Sequence, residues 1–313
     1  MFASSSTLKR GAALGLAVTA SLALAACGSS SPSKSNNPLG ASSAKGTVVI
    51  GSANFPENEL LAQIYSTALT AKGVKVTDKF NIGSREVYYP EIKKGAVSII
   101  PEYNGTLLTV SVSPSSTAST TAQVNAALTA GLPSTMEILN SAPAQDSDSV
   151  TVTQAFAKAH NLTSIADLKS IAGTMVFGGP PEFPTRSDGL KGLQKTYGLT
   201  FKSFDPLDES GPITLAALTS GKVQAADVFT TTPQIISDHL VSLTDPKFNF
   251  AAQNVTPLVY KPAMTSTITD TLNAISAKLT TAALLQIDTA VIVNHDSYQA
   301  VATGWLKANG LPY

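Results

Sequence analysis

Residues 47–65, TVVIGSANFPENELLAQIY, contain one complete strand and helix unit, and this unit decides the fold. Thr47–Ser52 is a β-branched run that ends in small residues, a pattern that predicts a buried strand. Apolar residues then recur at helical spacing from Leu60 to Leu69, and Gly73 is a typical helix stop. The stretch therefore predicts a strand followed by a helix that packs on it.

The same alternation of strands and helices continues towards the C-terminus. The further predicted elements are strand Val74–Phe80, helix Glu86–Lys94, strand Val97–Ile100, strand Thr174–Gly179, helix Asp188–Tyr197, strand Val223–Phe229, strand Val255–Tyr260, and helices Asp270–Leu279 and Tyr298–Asn309. Alternating units at this spacing favour parallel-rich sheets with helices on both faces. We expect an α/β fold with two lobes, lobe I at 47–148 and 251–313 and lobe II at 149–250, and the last two helices return to lobe I.

The N-terminus has the features of an export signal. Lys9 and Arg10 precede an apolar run without charge, Gly11–Leu24, and Leu24-Ala25-Ala26-Cys27 resembles the lipobox of bacterial lipoproteins. Cys27 is the only cysteine in the 313 residues. We expect residues 1–26 to be a signal peptide and Cys27 to carry lipid that anchors the protein to the cell membrane on its extracytoplasmic face. The alternative is a buried structural cysteine after an apolar helix.

Composition narrows the range of partners. Residues 27–46 are rich in serine, asparagine and proline, which predicts a flexible tether. Over the whole chain, 21 basic and 21 acidic residues balance, and neither sign forms a run. This balance argues against nucleic acid as a partner and favours a small ligand.

The single cysteine also bears on stability. If it carries lipid, the chain has no cysteine for a disulfide, so the core alone must stabilise the expected monomer.

Five blocks of the sequence carry a resemblance to a known family. They are GSANFPENELLAQIY, IGSREVYYPEIKKG, PEYNGT, GGPPEFPTRSDGLKGLQKTYGL and DVFTTTP, and the similarity extends from about Val48 to about Leu311. In order and spacing they resemble the OpuAC/ProX group of substrate-binding proteins, which serve ABC importers of glycine betaine, choline and proline betaine. The resemblance implies a periplasmic-binding-protein-like fold of type II, two lobes that close on a solute, delivery to ABC permease subunits, and neither enzymatic chemistry nor a cofactor.

The position of the site follows from a general rule for such folds. In open α/β sheets, ligands bind beyond the carboxyl ends of the strands. These blocks fall at these ends, after strands one to three in lobe I and in the loops of 178–186 and 229–232 in lobe II. We therefore expect the ligand cleft between the lobes.

Nine residues are candidate ligand contacts: Asn54, Arg85, Tyr89, Tyr103, Phe183, Arg186, Phe229, Thr231 and Gln253. The resemblance implies that Arg186 holds the carboxylate of a betaine, which a planar guanidinium can do through two parallel hydrogen bonds. The alternative for Arg186 is a surface salt bridge with Asp188 or Glu182. Tyr103 is either an aromatic face of the site or a turn tyrosine packed on its own lobe.

The cation end of the expected ligand is where the sequence departs from the family pattern. The third strand, typically I-D-L-Y in the family, reads Val97-Ser98-Ile99-Ile100 here, and the chain has Ala53 and Gln253 where a lysine and a tyrosine are usual. Because tyrosine faces attract a quaternary ammonium group, these changes argue against a simple glycine betaine cage. Arg85 and Glu86 add charge, which suggests either a ligand with more hydrogen-bonding groups or a latch across the lobes.

Two other functions remain open on the same scaffold. A lipid-anchored receptor that senses a solute has the same fold as a transport protein, and only a neighbouring permease would separate the two. A secreted hydrolase would need a nucleophile beside a base. The sequence contains no H-E-x-x-H, nucleophile elbow, CxxC or phosphate loop, and its three histidines are far apart.

Overall fold

The computed structural model describes residues 46–313. The predicted signal peptide, Cys27 and the tether as far as Lys45 lie outside the described residues. Within residues 46–313, no single helix has the length and apolar composition to cross a membrane, and one pair, Ser266–Lys278 with Thr281–Val293, meets that test only jointly across a bend of 92°.

The described residues alternate between strands and helices. The strands are β1 Val48–Gly51, β2 Val76–Lys79, β3 Ile99–Tyr103, β4 Met136–Ile138, β5 Val150–Thr153, β6 Val176–Gly179, β7 Ser203–Pro206, β8 Ala225–Asp227, β9 Leu240–Ser242 and β10 Val255–Tyr260. The helices are α1 Pro56–Ala71, α2 Arg85–Lys93, α3 Asn104–Thr106, α4 Thr121–Gly131, α5 Gln154–His160, α6 Leu190–Tyr197, α7 Pro212–Thr219, α8 Gln234–Ser237, α9 Ser266–Lys278, α10 Thr281–Asp288 and α11 Tyr298–Ala308. Segments of π-helix extend α3 over Leu107–Val112 and α10 over Thr289–Val293, and short 3₁₀ helices occupy Ile165–Ser170, Ala172–Thr174 and Lys261–Ala263.

The strands form two five-stranded mixed sheets of the same design. The sheet of lobe I has the order β2-β1-β3-β10-β4, and the sheet of lobe II has the order β7-β6-β8-β5-β9. In each sheet the first three strands are parallel, and the fourth is antiparallel to both of its neighbours. The antiparallel strands β5 and β10 are those with which the chain enters lobe II and returns to lobe I. The predicted two-lobed α/β fold is confirmed.

Each lobe has its own apolar core. In lobe I, α1 packs on the sheet and on α9, α10 and α11, so that the C-terminal helices do belong to this lobe. The helix buries Leu60, Leu61, Ile64 and Leu69 completely. Burial of each such side chain stabilises the fold by about 1.5–3 kcal/mol. The helical spacing seen in the sequence is therefore the spacing of the buried face.

The third strand lies further along the chain than the sequence predicts. β3 covers Ile99–Tyr103 rather than Val97–Ile100. It includes Pro101, which pairs with Pro257 of β10. β1 pairs with β3 only through Ile50 and Ile99, so no strand borders β3 on that side at Pro101, and the missing N–H costs no ladder bond. The shift places Glu102 and Tyr103 on the strand itself, at its carboxyl end.

Candidate functional site

A cavity lies between the two lobes at the carboxyl ends of the central strands. It contains about 330 Å³ of space that protein atoms do not fill, part of it open to solvent. Its walls come from both lobes and from both crossings between them. The lining residues are Phe55, Arg85, Tyr103, Thr106, Asp146, Asp148, Arg186, Glu209, Phe229 and Gln253.

Asn58 fixes the loop that presents Phe55. The backbone N–H of Ala53 donates to Asn58 Oδ1 at 2.7 Å, and Asn58 Nδ2 donates to the carbonyl of Pro101 at 3.0 Å. Through Asn58, these two bonds join the loop after β1 to the middle of β3. As a result, Phe55 at the start of α1 is held beside Tyr103.

Three aromatic rings form one side of the cavity. The ring centres of Phe55 and Tyr103 are 5.9 Å apart, and those of Phe55 and Phe229 are 5.0 Å apart. Phe229 follows β8 of lobe II, so this aromatic side contains rings of both lobes. Ring faces of this kind attract a cation without requiring a hydrogen-bond donor.

Arg85 also lines the cavity and is paired within lobe I. Its Nε donates to both carboxylate oxygens of Glu102 at 3.1 Å, and its Nη2 donates to Glu102 Oε2 at 2.9 Å. Glu102 is fully buried and also accepts from the Tyr88 hydroxyl at 2.8 Å. Burial lowers the pKa of Arg85, but the Glu102 carboxylate outweighs that effect and raises the pKa well above its ordinary value. The pair is thus a fixed charged wall of the site.

Arg186 is paired across the lobes. Its Nε and Nη2 donate to Glu86 Oε1 and Oε2, both at 3.1 Å, and Nη2 also donates to Glu182 Oε1 at 3.3 Å. The Arg186 side chain is 5% exposed and that of Glu86 is 41% exposed. Burial raises the pKa of Glu86, but the hydrogen bonds and charge of Arg186 outweigh it and lower the pKa to about 2. We call this pair the Glu86–Arg186 latch.

Further hydrogen bonds join the lobes around the cavity. Thr231 Oγ1 donates to Glu57 Oε2 at 2.6 Å, and the Thr231 N–H donates to Asp146 Oδ1 at 3.0 Å. On another side, Thr109 Oγ1 donates to Asp188 Oδ2 at 2.6 Å. The lobes are therefore closed on each other in this structure.

Buried carboxyl groups surround the closed interface. Burial raises the pKa of Glu57, Asp146 and Asp288, and the carboxyl groups of Glu57 and Asp288 lie side by side. Burial also raises the pKa of Asp188 to about 6 and that of Glu209 to about 7. Crowding several acids into a dry interface favours protonation of some of them. In the described part of the chain, no group of three or more His, Cys, Asp or Glu is placed to hold a metal ion.

Five of the nine predicted contacts line the cavity: Arg85, Tyr103, Arg186, Phe229 and Gln253. Thr231 lies next to it through its bond to Glu57. The others lie elsewhere: Asn54 is exposed, Tyr89 packs on the core of lobe I, and Phe183 is buried in lobe II with its ring stacked 5.4 Å from Phe177. The role of all nine as ligand contacts stays a prediction.

Of the four departures at Ala53, Ser98, Ile100 and Gln253, only Gln253 lines the cavity. Gln253 Oε1 accepts from the Thr106 N–H at 2.9 Å, which fixes it to the PEYNGT loop. Ala53, Ser98 and Ile100 are buried and do not line the cavity. Ser98 instead accepts from the Val49 N–H at 3.1 Å and joins two strands. Three of these substitutions therefore do not alter the cavity wall directly.

Sequence reasoning missed five lining residues: Phe55, Thr106, Asp146, Asp148 and Glu209. Phe55 and Thr106 were detectable, because both lie within blocks that follow strands of lobe I. The three acids had no such signal. Each lies in a polar loop, a context that is typical of solvent-exposed acids.

Comparison with known proteins is consistent with this geometry. The family model described as the substrate binding domain of ABC-type glycine betaine transport systems matches residues 46–308. The glycine betaine-binding protein YehZ of Escherichia coli (strain K12) is 27% identical over 276 residues, which cover 84% of this chain and 90% of that protein.

Solved structures show the same architecture. A crystal structure titled as a glycine betaine/carnitine/choline ABC transporter matches with a TM-score of 0.67 and 21% identity, covering 84% of this chain and 98% of the other. Apo YehZ from Escherichia coli matches with a TM-score of 0.58 and 25% identity, covering 84% and 99%. The first of these likenesses concerns the fold alone.

Proposed function

The chain belongs to the family of substrate binding domains of ABC-type glycine betaine transport systems, and we propose that it captures an osmoprotectant of the glycine betaine, choline or proline betaine type and delivers it to an ABC permease by closure of its lobes. Members of this family bind solutes for importers and are not enzymes. The observation that carries the proposal is the cavity at the junction of the lobes, whose lining combines aromatic rings of both lobes with two guanidinium groups.

The aromatic side supports an ammonium ligand. Phe55 and Tyr103 come from lobe I and Phe229 from lobe II, so a cation between them would contact both lobes at once. Such a ligand stabilises the closed arrangement more than the open one, because only the closed arrangement brings the rings together. We propose that the working unit is a monomer.

The location of the protein is part of the proposal. The family works outside the cytoplasm, where importers collect their solutes. We propose that residues 1–26 are a signal peptide, that Cys27 carries lipid, and that 27–46 tether the lobes near the permease. The lipobox sequence supports this. The positions of the strands support lobe bounds at 47–148, 149–250 and 251–313, since the lobe II sheet lies within Val150–Ser242.

A thermal-shift and titration screen of the full chain tests the solute class. Glycine betaine, choline, carnitine and proline betaine are compared with amino acids and sugars, and a ligand at 100 times its Kd adds about 2.7 kcal/mol to the free energy of unfolding. Absence of a shift with every quaternary ammonium compound would reject the proposal.

A pair of phenylalanine variants locates the binding. Phe229→Ala removes a ring of the cavity, and because a desolvated cation–π contact contributes up to about 2 kcal/mol, we expect the Kd to rise by up to about 30-fold. Phe156→Ala is the control, since this ring packs on His160 at 4.4 Å and does not line the cavity. Equal effects of the two variants would place binding elsewhere.

A further inference from the structure

The two arginines of the cavity are already matched with protein carboxylates. Arg85 is paired with Glu102, and Arg186 is paired with Glu86 and Glu182. In both pairs, two guanidinium nitrogens face two carboxylate oxygens, which is the arrangement that a ligand carboxylate would otherwise adopt. The protein itself therefore supplies the anion for each arginine.

The cavity as a whole is electronegative. Its lining contains two cationic residues, Arg85 and Arg186, against the three acids Asp146, Asp148 and Glu209. The carboxylate partners of the arginines, Glu102, Glu86 and Glu182, add further negative charge beside each guanidinium. Even if Asp146 and Glu209 are counted as protonated, four carboxyl groups remain beside the two guanidinium groups. They are those of Asp148, Glu102, Glu86 and Glu182. An added ligand carboxylate would meet this excess of like charge, whereas a cation is attracted by it.

Each arginine nevertheless has one guanidinium nitrogen that makes no hydrogen bond within the described residues. Among the described residues, the Nη1 atoms of Arg85 and Arg186 have no acceptor, because the recorded bonds of both side chains come from Nε and Nη2. A neutral oxygen, such as a hydroxyl, can accept a hydrogen bond there without adding negative charge.

We propose that this site selects an organic cation that carries a neutral oxygen, such as a hydroxyl group, over a zwitterion that carries a carboxylate. The cation lies against Phe55, Tyr103 and Phe229, and the neutral oxygen accepts from the free guanidinium nitrogens. On this basis Arg186 holds the lobes together through the latch, and it is not the anchor of a ligand carboxylate. The inference rests on the proposed function, because it assumes an ammonium ligand in this cavity.

Choline and glycine betaine form a matched pair of probes. They share the trimethylammonium group and differ in having a CH₂OH or a carboxylate at the other end. Calorimetric titration of the full chain with each compound, at one pH and ionic strength, measures the preference. We expect a Kd for choline at least 10-fold lower than that for glycine betaine.

A charge variant tests the cause of the preference. Glu86→Gln removes the latch carboxylate and leaves Arg186 with less negative charge around it, so the ratio of the two Kd values should shift at least threefold towards glycine betaine. Glu91→Gln is the control on the same helix, since Glu91 pairs with the exposed Lys94 at 3.2 Å within lobe I and does not line the cavity. It should leave the ratio unchanged.

The outcomes separate the two proposals. Tighter binding of choline with a shifted ratio in Glu86→Gln supports the inference. Glycine betaine binding as tightly as choline, or a ratio that Glu86→Gln leaves unchanged, overturns the inference while the transport role stands. If neither compound binds, the inference fails, and the proposed function fails with it only when carnitine and proline betaine do not bind either.

Discussion

The hydrogen bond from Thr231 to Glu57 offers a direct measure of lobe closure. The Thr231 hydroxyl of lobe II donates to Glu57 Oε2 of lobe I at 2.6 Å, and both residues are buried. Thr231→Val replaces the hydroxyl by a methyl group of nearly the same volume. The variant therefore removes the donor without opening a cavity, and its effect falls on the closed arrangement, in which the two groups meet.

The size of the effect follows from the kind of bond. A hydrogen bond to a charged group contributes about 1.5–3 kcal/mol, and a buried acceptor left without its donor costs a similar amount. Because closure and solute binding are coupled, a loss of about 2 kcal/mol in the closed arrangement raises the Kd about 30-fold. Burial already raises the pKa of Glu57, so loss of the donor also moves that pKa further upwards.

Calorimetric titration with choline gives the Kd, and small-angle scattering with and without choline gives the change in radius on closure. Thr232→Val is the matched control, since the neighbouring Thr232 is also buried but its hydroxyl makes no hydrogen bond within the described residues. We expect a weaker Kd and less compaction for Thr231→Val alone. A Kd within twofold of the unmodified protein, or an equal loss in Thr232→Val, would refute the reasoning.

Three further predictions concern pH, the core and the anchor. Burial raises the pKa of Glu209 from 4.5 to about 7, so the native state binds more protons than the unfolded state between these two pH values, and the free energy of unfolding should fall by at most about 3 kcal/mol as pH rises through this window. In urea denaturation, Glu209→Gln should flatten this part of the pH profile. Parallel profiles for the variant and the unmodified protein would contradict the assignment. Leu61→Ala in the fully buried face of α1 should lower the free energy of unfolding by about 2–5 kcal/mol, whereas Thr70→Ala on its exposed side should change it by less than about 0.5 kcal/mol. Cys27→Ser should move the protein from the membrane fraction to the soluble fraction of cells, and unchanged fractionation would exclude lipid on this residue.

The fold was accessible from the sequence where apolar periodicity was long. The run from Leu60 to Leu69 predicted a helix because every turn of it is buried, and the strand before it is buried on both faces. Strands of three or four residues, such as β4 and β9, have too few side chains to show a period. Their existence depends on pairing with distant strands, β10 and β5, which local sequence does not encode.

The site was accessible only in part, for a related reason. Tyr103 and Phe229 follow strands that were predicted, so the edge rule placed them at the site. Asp148 and Glu209 lie in polar loops, where no local pattern indicates that they line a cavity. The sequence predicted Arg186 as a ligand contact and placed Glu86 in either the ligand site or a latch across the lobes, but the two residues are 100 positions apart, so no local pattern indicated that they pair with each other.

The two crossings between the lobes join ligand contact to lobe motion. They are the covalent links between the sheets, so relative movement of the lobes must bend the chain there. The two crossings lie side by side, and the Asp146 N–H of one donates to the Gln253 carbonyl of the other at 3.1 Å. The Asp146 carboxylate accepts a hydrogen bond from the Thr231 N–H of lobe II, and the Gln253 side chain accepts one from the Thr106 N–H of lobe I. Because both residues also line the cavity, a solute that contacts them acts at the hinge itself, whereas the latch acts at a separate contact between the lobes. Changes at the latch should therefore alter mainly the lifetime of the closed form, and changes at the crossings should alter both solute contact and closure.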